Sequence, residues 1–293
     1  MPDEKEVSIL LENSGVLYLC ATPIGNLEDM TYRAVRVLGE VEVIAAEDTR
    51  HTRKLLSHFD IHTRLISYHE HNKITRGPEL IERLVAGENV AIVSDAGLPG
   101  ISDPGSDLVV LAVQAGIRVV PLPGANAALS ALVSSGLDTA LFSFIGFLPK
   151  NKKKRRELLY SFVNSPYTMV FYESPHRIKQ TLTELKSAFG DRSAVAAREL
   201  TKKFEEFIRG TIESLITHFA EKEPRGEFTL IVGGDTINQS HETGEDEEKQ
   251  LSIEDAVIAL IKNGVAKKEA IKTIAQQRGL PKRNVYQATL GIE

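Results

Sequence analysis

The sequence predicts an α/β protein. A parallel, doubly wound five-stranded sheet comes first, then a second α/β unit on a mixed sheet, then a helical tail. Three observations predict this. Five near-continuous apolar runs between residues 16 and 122 alternate with helix-like patterns, as in parallel sheets covered on both faces. Each polar cluster in that region falls at the C-terminal end of an apolar run, the edge where open α/β sheets bind ligands. Beyond residue 136 the strand-like runs shorten and crowd, which suits a mixed sheet.

In chain order, residues 1–14 are expected to form an N-terminal arm. Val16–Ala21 is the first strand, ending in Thr22-Pro23-Ile24-Gly25-Asn26-Leu27, followed by a helix over 31–38. Strand 41–46 delivers Glu47-Asp48-Thr49-Arg50, helix 52–59 follows, and strand 64–67 ends in Tyr68-His69-Glu70-His71-Asn72. A helix from Pro78 to Ala86, with Pro at its first position, leads to strand 90–93. Helix 104–115 and strand 117–122 lead to Pro123-Gly124-Ala125-Asn126. A hinge is expected within 124–136, dividing an N-terminal α/β domain (15–125) from a C-terminal one (126–234). The second domain reads as helix 127–135, strand 142–147, helix 157–163, strand 168–172, a helix ending at Phe189, strands 193–197 and 205–209, helix 212–219 and strand 226–232. Residues 235–250 form an acidic linker without apolar periodicity. In the tail, 251–293, Ser252 with Asp255 makes a capping-box-like start. Residues 267–278, 279–280 and 281–290 then read as helix, turn, helix.

The most informative stretch is Asn89–Gly105, NVAIVSDAGLPGISDPG. The strand breaks into about ten loop residues where such turns usually take roughly 2–6. Ser94-Asp95-Ala96-Gly97 is echoed by Ser102-Asp103-Pro104-Gly105, and Asp103 before Pro104 reads as a helix N-cap. Glycines let backbone N–H groups approach a ligand.

Composition excludes several classes. Net charge is −5 over 293 residues, so overall charge does not announce nucleic-acid binding, although six of the seven residues Lys150–Arg156 are basic. A single cysteine, Cys20, rules out a disulfide framework or thiolate metal site and fits a reducing, cytoplasmic compartment. The acidic N-terminus is not a signal peptide, and no apolar run approaches the ~18 residues of a membrane span. Neither G-x-G-x-x-G after the first strand, nor G-x-x-x-x-G-K-[ST], nor G-x-S-x-G occurs. His69 and His71 flank Glu70 but lack further ligands, so no metal is expected. The loops suit a neutral or zwitterionic small molecule with a ribose and an adenine better than a bare triphosphate. Lys150–Arg156, directly after a strand end, suits phosphate contacts of an anionic polymer, against the plainer reading of a solvated loop. The tail's Lys267, Lys268, Lys272, Arg278, Lys282 and Arg283 fit either a small nucleic-acid binder or a solvated basic face.

These motifs carry a resemblance. Leu19–Leu27 (LCATPIGNL), Ala45–Arg50 (AAEDTR), Ser67–Asn72 (SYHEHN), Val93–Gly105, Phe171–Arg177 (FYESPHR) and Arg198–Lys202 (RELTK), with Phe204-Glu205 and Gly226–Phe228, span about residues 15–234. Together they resemble the tetrapyrrole-methylase fold, the class III S-adenosylmethionine (SAM) methyltransferases. Within it the match is to the ribosomal RNA small subunit methyltransferase I family. Leu98 and Asn126 depart from that family's usual Thr and Ser, and the tail resembles a small domain that some members append.

The resemblance implies two α/β domains with SAM in the cleft between them and a homodimer. It also implies methylation of the ribose 2′-hydroxyl of a cytidine in the decoding centre of 16S rRNA, within the 30S subunit. Carried over by position, the cofactor residues are Pro23, Gly25, Ser94, Asp95, Ala96, Gly97, Ile101, Ser102, Asp103, Pro123, Ala125, Ala128, Tyr172 and Leu200. A base would help remove the hydroxyl proton. Glu47, Asp48, His69, Glu70 and Glu173 are candidates, with Glu47 or Glu173 preferred and a cleft-shaping role the alternative for each. Arg50 and Arg177 would grip phosphates beside Lys150, Lys152, Lys153, Lys154, Arg155 and Arg156. A tetrapyrrole methyltransferase and a non-catalytic ribosome-assembly RNA binder stand as alternatives. The basic segments argue against the first and the intact ligand loop against the second.

Overall fold

The computed structural model describes residues 14–235, 252–262, 266–278 and 280–289. All but the first residue of the expected acidic linker, and all but the last of the N-terminal arm, lie outside them. Two compact units form. The first takes residues 14–163 and 167–233 and contains both sheets, and the second contains the C-terminal helices.

The first sheet has strands β1 (Val16–Cys20), β2 (Val43–Ala46), β3 (Arg64–Ser67), β4 (Val90–Val93) and β5 (Arg118–Leu122), all parallel, in the order β3-β2-β4-β1-β5. Its central strands are buried on both faces, which accounts for their unbroken apolar character. Residues of one parity (Leu17, Val43, Ala45, Val90, Ile92) pack under helices α3 (Lys73–Val85) and α4 (Gly105–Gln114). The other parity (Cys20, Ile44, Ala46, Ala91, Val93) packs under α1 (Tyr32–Glu40) and α2 (Thr49–His58). This is the doubly wound arrangement. Every β-to-α loop therefore emerges at one edge. Cys20 is buried, which pushes its thiol up to about 12 and leaves it unreactive.

The second sheet has strands β6 (Phe142–Phe147), β7 (Thr168–Glu173), β8 (Ser193–Arg198), β9 (Glu206–Thr211) and β10 (Phe228–Val232), ordered β6-β7-β10-β8-β9. Only β6 and β7 are parallel, so the sheet is mixed, as the crowded strands predict. Helices α6 (Lys152–Ser161), α7 (Ile178–Phe189) and α8 (Ile212–Glu221) cover one face. Helix α5 (Ala127–Val133) lies on the other, where Ala128, Ala131 and Leu132 meet Val170, Val195 and Ile231. Ile24, from the loop after β1, packs against the same cluster and ties the two sheets together.

Helix α2 starts at Thr49, three residues before the expected 52, where Asp48 caps it; two other helix starts differ by more. Helix α3 begins at Lys73, not Pro78, and Pro78 sits inside it. A proline in the second turn forfeits one backbone hydrogen bond, and Leu80 and Leu84 packed on the sheet outweigh that loss. Helix α6 begins at Lys152, not residue 157. Asn151 caps it, its side chain accepting from the Lys154 N–H, so most of the basic run is helical.

In the second unit, α9 (Ile253–Lys262), α10 (Lys267–Gln277) and α11 (Lys282–Ala288) enclose a small core of Ala256, Val257, Ala270, Ile271, Ile274, Ala275 and Val285. Ser252 and Asp255 bond reciprocally at the start of α9, as their spacing predicts. Among the described residues no helix is long and apolar enough to cross a membrane.

Candidate active site

The loops after β1, β2, β4 and β5 converge at the C-terminal edge of the first sheet. Thr22 and Gly97 pair as an isolated antiparallel bridge, each N–H donating to the other's carbonyl at 2.9 and 3.0 Å. Ser94 reinforces it, its hydroxyl donating to the Gly97 carbonyl at 3.1 Å while its own carbonyl accepts from the Thr22 hydroxyl at 3.2 Å. Gly97 has φ +82°, and a Cβ there would lie 3.3 Å from both the Ala125 carbonyl and Ile24. Three loops therefore meet at one glycine.

Asp103 organises the rest of the β4 loop. Its carboxylate accepts backbone N–H bonds from Gly100, Ile101 and Gly105, the last at 2.7 Å. The helix itself starts one residue later than Asp103-Pro104 suggests: Pro104 occupies the N-cap position without a side-chain cap, and Asp103 ties the loop together just before it. The same network holds Ser102 at φ +65°, left-handed for a residue with a side chain, and its Oγ would lie 3.0 Å from a Cβ on Gly146 of β6. Asp95 accepts from the Asp48 N–H at 2.9 Å, locking the β2 loop to the β4 loop.

Between these loops and the second sheet lies a cleft of about 600 Å³. Ser94, Asp95, Ala96, Gly97, Ile101, Ser102 and Asp103 line it from one side, Tyr172 and Leu200 from the other, and Glu47 and Glu173 also reach it. Pro23 and Gly25 line an adjoining cavity of about 590 Å³ that shares Ile24, Asp95 and Lys202 with the first. Pro123, Ala125 and Ala128 line neither cavity. Ala125 supports Gly97 through its carbonyl, and the Ala128 backbone N–H meets the Tyr172 hydroxyl.

The electrostatics separate the carboxylates. Burial, then the like charges of Asp95 and Asp103, raise the Glu47 carboxyl above the usual range, and an N–H from Asp95 and the nearby His69 oppose this only in part. Glu173 differs. It is 3% exposed and fully engaged, accepting from the Ser174 N–H at 2.8 Å and the Thr181 hydroxyl at 2.6 Å, with Arg177 Nε at 3.8 Å. It fastens the end of β7 to α7. Asp48 is ion-paired with exposed Arg50, which holds its carboxyl well below the usual carboxylate range. Glu70 faces solvent and pairs with Lys73, and His69 Nδ1 is buried without a hydrogen-bond partner among the described residues.

The basic residues also divide. Lys150, Lys152, Lys153, Lys154 and Arg156 are exposed, and the Arg156 guanidinium lies 5.2 Å from the Tyr160 ring. Arg155 is 5% exposed and committed. It grips Glu184 with two nitrogens and donates to the Pro149 and Lys150 carbonyls at 3.0 Å. Its guanidinium is thus unavailable to phosphates. Arg177 similarly donates to the Leu148 carbonyl at 3.1 Å. Sequence reasoning missed Phe147, Lys202 and Glu227, which line the cleft. Lys202 lies within the RELTK motif, but nothing in the sequence places Glu227 beside it.

The profile of the family described as Tetrapyrrole (Corrin/Porphyrin) Methylases matches residues 16–216. Ribosomal RNA small subunit methyltransferase I from Halalkalibacterium halodurans is 53% identical over 94% of this chain and 94% of its own length. The chain belongs to the ribosomal RNA small subunit methyltransferase I family. Members with the same name from Bacillus subtilis (50% identical, 94% of each chain) and Synechocystis (48%, 95% of this chain and 99% of that one) agree. Among solved structures, the methyltransferase CobJ superposes with TM-score 0.58 at 20% identity, covering 75% of this chain and 95% of that one. Thermus thermophilus uroporphyrin-III C-methyltransferase complexed with S-adenosyl homocysteine gives 0.54 at 19% identity, over 75% and 97%. These two share the family's fold at low identity. Leu98 and Asn126 both line the cleft.

Proposed function

We infer that this protein is a SAM-dependent methyltransferase that modifies the ribose 2′-hydroxyl of a cytidine in the decoding centre of 16S rRNA. The observation carrying this is the cleft. Burial, joined by the like charges of Asp95 and Asp103, raises the Glu47 carboxyl there, and Leu98, Ile101, Phe147 and Leu200 supply apolar walls. Such a wall fits a ligand bearing an ammonium and a sulfonium and disfavours a polyphosphate. When bound, SAM supplies an electrophilic methyl group.

The chain's own residues do the rest. The Thr22–Gly97 bridge and the Asp103 network fix the loops, and positioning of this kind supplies much of the rate in a displacement. The apolar walls exclude water. Glu47 takes the proton of the attacking hydroxyl, and its desolvation brings its basicity closer to neutrality. The cofactor contacts fall to Ser94, Asp95, Ala96, Gly97, Ile101, Tyr172 and Leu200, with Pro23 and Gly25 on the adjoining cavity. Lys150, Lys152, Lys153, Lys154 and Arg156 hold phosphates. Cations in the first turn of a helix oppose its dipole, a cost of about 0.3–1 kcal/mol each that a polyanion relieves.

Labelled SAM should transfer its methyl to 30S subunits lacking the modification, recovered as 2′-O-methylcytidine, and not to a precursor tetrapyrrole. Label in the tetrapyrrole alone, or in neither substrate, would overturn the reading. Activity belongs to the cytoplasm, where 30S subunits assemble. A homodimer is supported by exposed Leu129 and Val133 on α5 and by Phe142 and Phe144 on the edge strand β6. Light scattering should read the mass of two chains, and a one-chain mass would remove that part of the proposal.

A further inference from the structure

The cleft leaves the C-terminal helices without a task. Residues 252–289 hold seven basic and three acidic side chains within a chain of net charge −5, so positive charge is concentrated there. Helices α9, α10 and α11 each pack against the other two around one closed apolar core. A short turn joins α10 to α11, fixed by the Leu280 N–H donating to the Ala275 carbonyl at 3.0 Å. Helix α11 turns Val285 fully inward. Its other described side chains include exposed Lys282, Arg283, Asn284, Tyr286 and Gln287, and Lys268 and Lys272 are exposed one turn apart on α10. Tyr286 is 55% exposed.

We propose that α10 and α11 form a second RNA-binding surface that engages the substrate rRNA. Lys268, Lys272, Lys282 and Arg283 face its phosphates, and Tyr286 offers a plane for an unpaired base. The composition selects this partner. Cations attract phosphates without regard to sequence, Asn284 and Gln287 donate and accept as base edges do, and an exposed aromatic ring stacks on any base. An apolar protein groove or a membrane would want an apolar stripe, and the exposed face of α11 has none beyond Tyr286. The proposal rests on the reading of the substrate as 16S rRNA.

The test uses the full chain. In K268Q/K272Q/K282Q/R283Q, affinity for naked 16S rRNA and for 30S subunits is measured across a salt series, beside SAM affinity and kcat at saturating RNA. Each lost phosphate contact should flatten the log–log salt slope by about 0.7–0.9, so a total change of about 3–3.5 is expected for the four. Affinity near physiological salt should fall at least about tenfold, a loss of that slope. SAM affinity and kcat should stay at wild type. Y286A should weaken binding without changing the slope. An unchanged slope and KM in a variant with wild-type circular dichroism and Tm would overturn the proposal. So would a loss of SAM affinity, which marks a structural role. Affinity lost for 30S subunits but kept for naked rRNA would assign the surface to a ribosomal protein and overturn it too. Wild type that methylates no RNA would instead fail the substrate reading.

Discussion

Replacing Asp103 with alanine is expected to raise the dissociation constant for SAM about 100-fold and to lower stability by about 1–3 kcal/mol. The carboxylate is the common acceptor for three backbone N–H groups, from Gly100, Ile101 and Gly105. Alanine leaves all three donors without that acceptor and frees Ser102 from the left-handed conformation the network imposes. The loop then samples conformations in which Ile101 and Ser102 no longer form the wall of the cleft. Asn at 103 should recover part of the loss, because its one oxygen can still accept from Gly100 and Gly105 while its amide nitrogen sets a donor against the Ile101 N–H. Titration calorimetry reads the affinity and thermal unfolding reads the stability. An affinity within threefold of wild type would show that the loop holds its shape without Asp103.

Glu47→Gln should lower methyl transfer by about 10²–10⁴-fold, the usual contribution of a general base. The same change should make the free protein more stable, by about 1–3 °C in Tm at pH 7. The sign follows from proton linkage. The folded state holds the Glu47 proton more tightly than the unfolded chain does, since burial and two like charges raise its pKa. Stability therefore declines as pH rises from the ordinary carboxylate value through the raised one, and the deficit persists above that window. Glutamine removes the deficit and the base together. Glu173→Gln should behave oppositely. It weakens the bonds from Ser174 and Thr181 to a buried charge, costing about 2–3 kcal/mol or roughly 4–12 °C, while turnover per folded molecule stays within a few fold. If Glu47→Gln turns over at near wild-type rates, Glu47 is not the base. If Glu173→Gln is inactive yet unfolds normally, the role of Glu173 is chemical after all.

The fold was legible because each central strand of the first sheet is buried on both faces. A strand such as Val90–Val93 can then only be apolar throughout. The ligand edge was legible for a related reason: Ser94–Asp103 is too long for a simple turn. Roles that depend on burial were not. Arg155 looks like its neighbours in KNKKKRR, and only the packing of α6 on α7 turns it inward to Glu184. Glu173 looks like a catalytic carboxylate at a strand end until Thr181, eight residues on, is folded against it. Pro78 misplaced a helix start because the rule for prolines weighs local bonding, and packing of Leu80 and Leu84 decided otherwise.

The strand order also governs when the first sheet can assemble. β1 pairs only with β4 and β5, whose residues begin at Val90, while β2 and β3 can pair with each other earlier. At about 5–20 residues per second, the ribosome leaves Val16–Cys20 without a strand partner for roughly 4–15 s. Insertion of β4 between β2 and β1 is thus the event that closes this sheet, and its arrival joins both sides at once. The nascent chain carries its longest-lived aggregation hazard in its first strand, and the segment that removes it is the one leading into the Ser94–Asp103 loop.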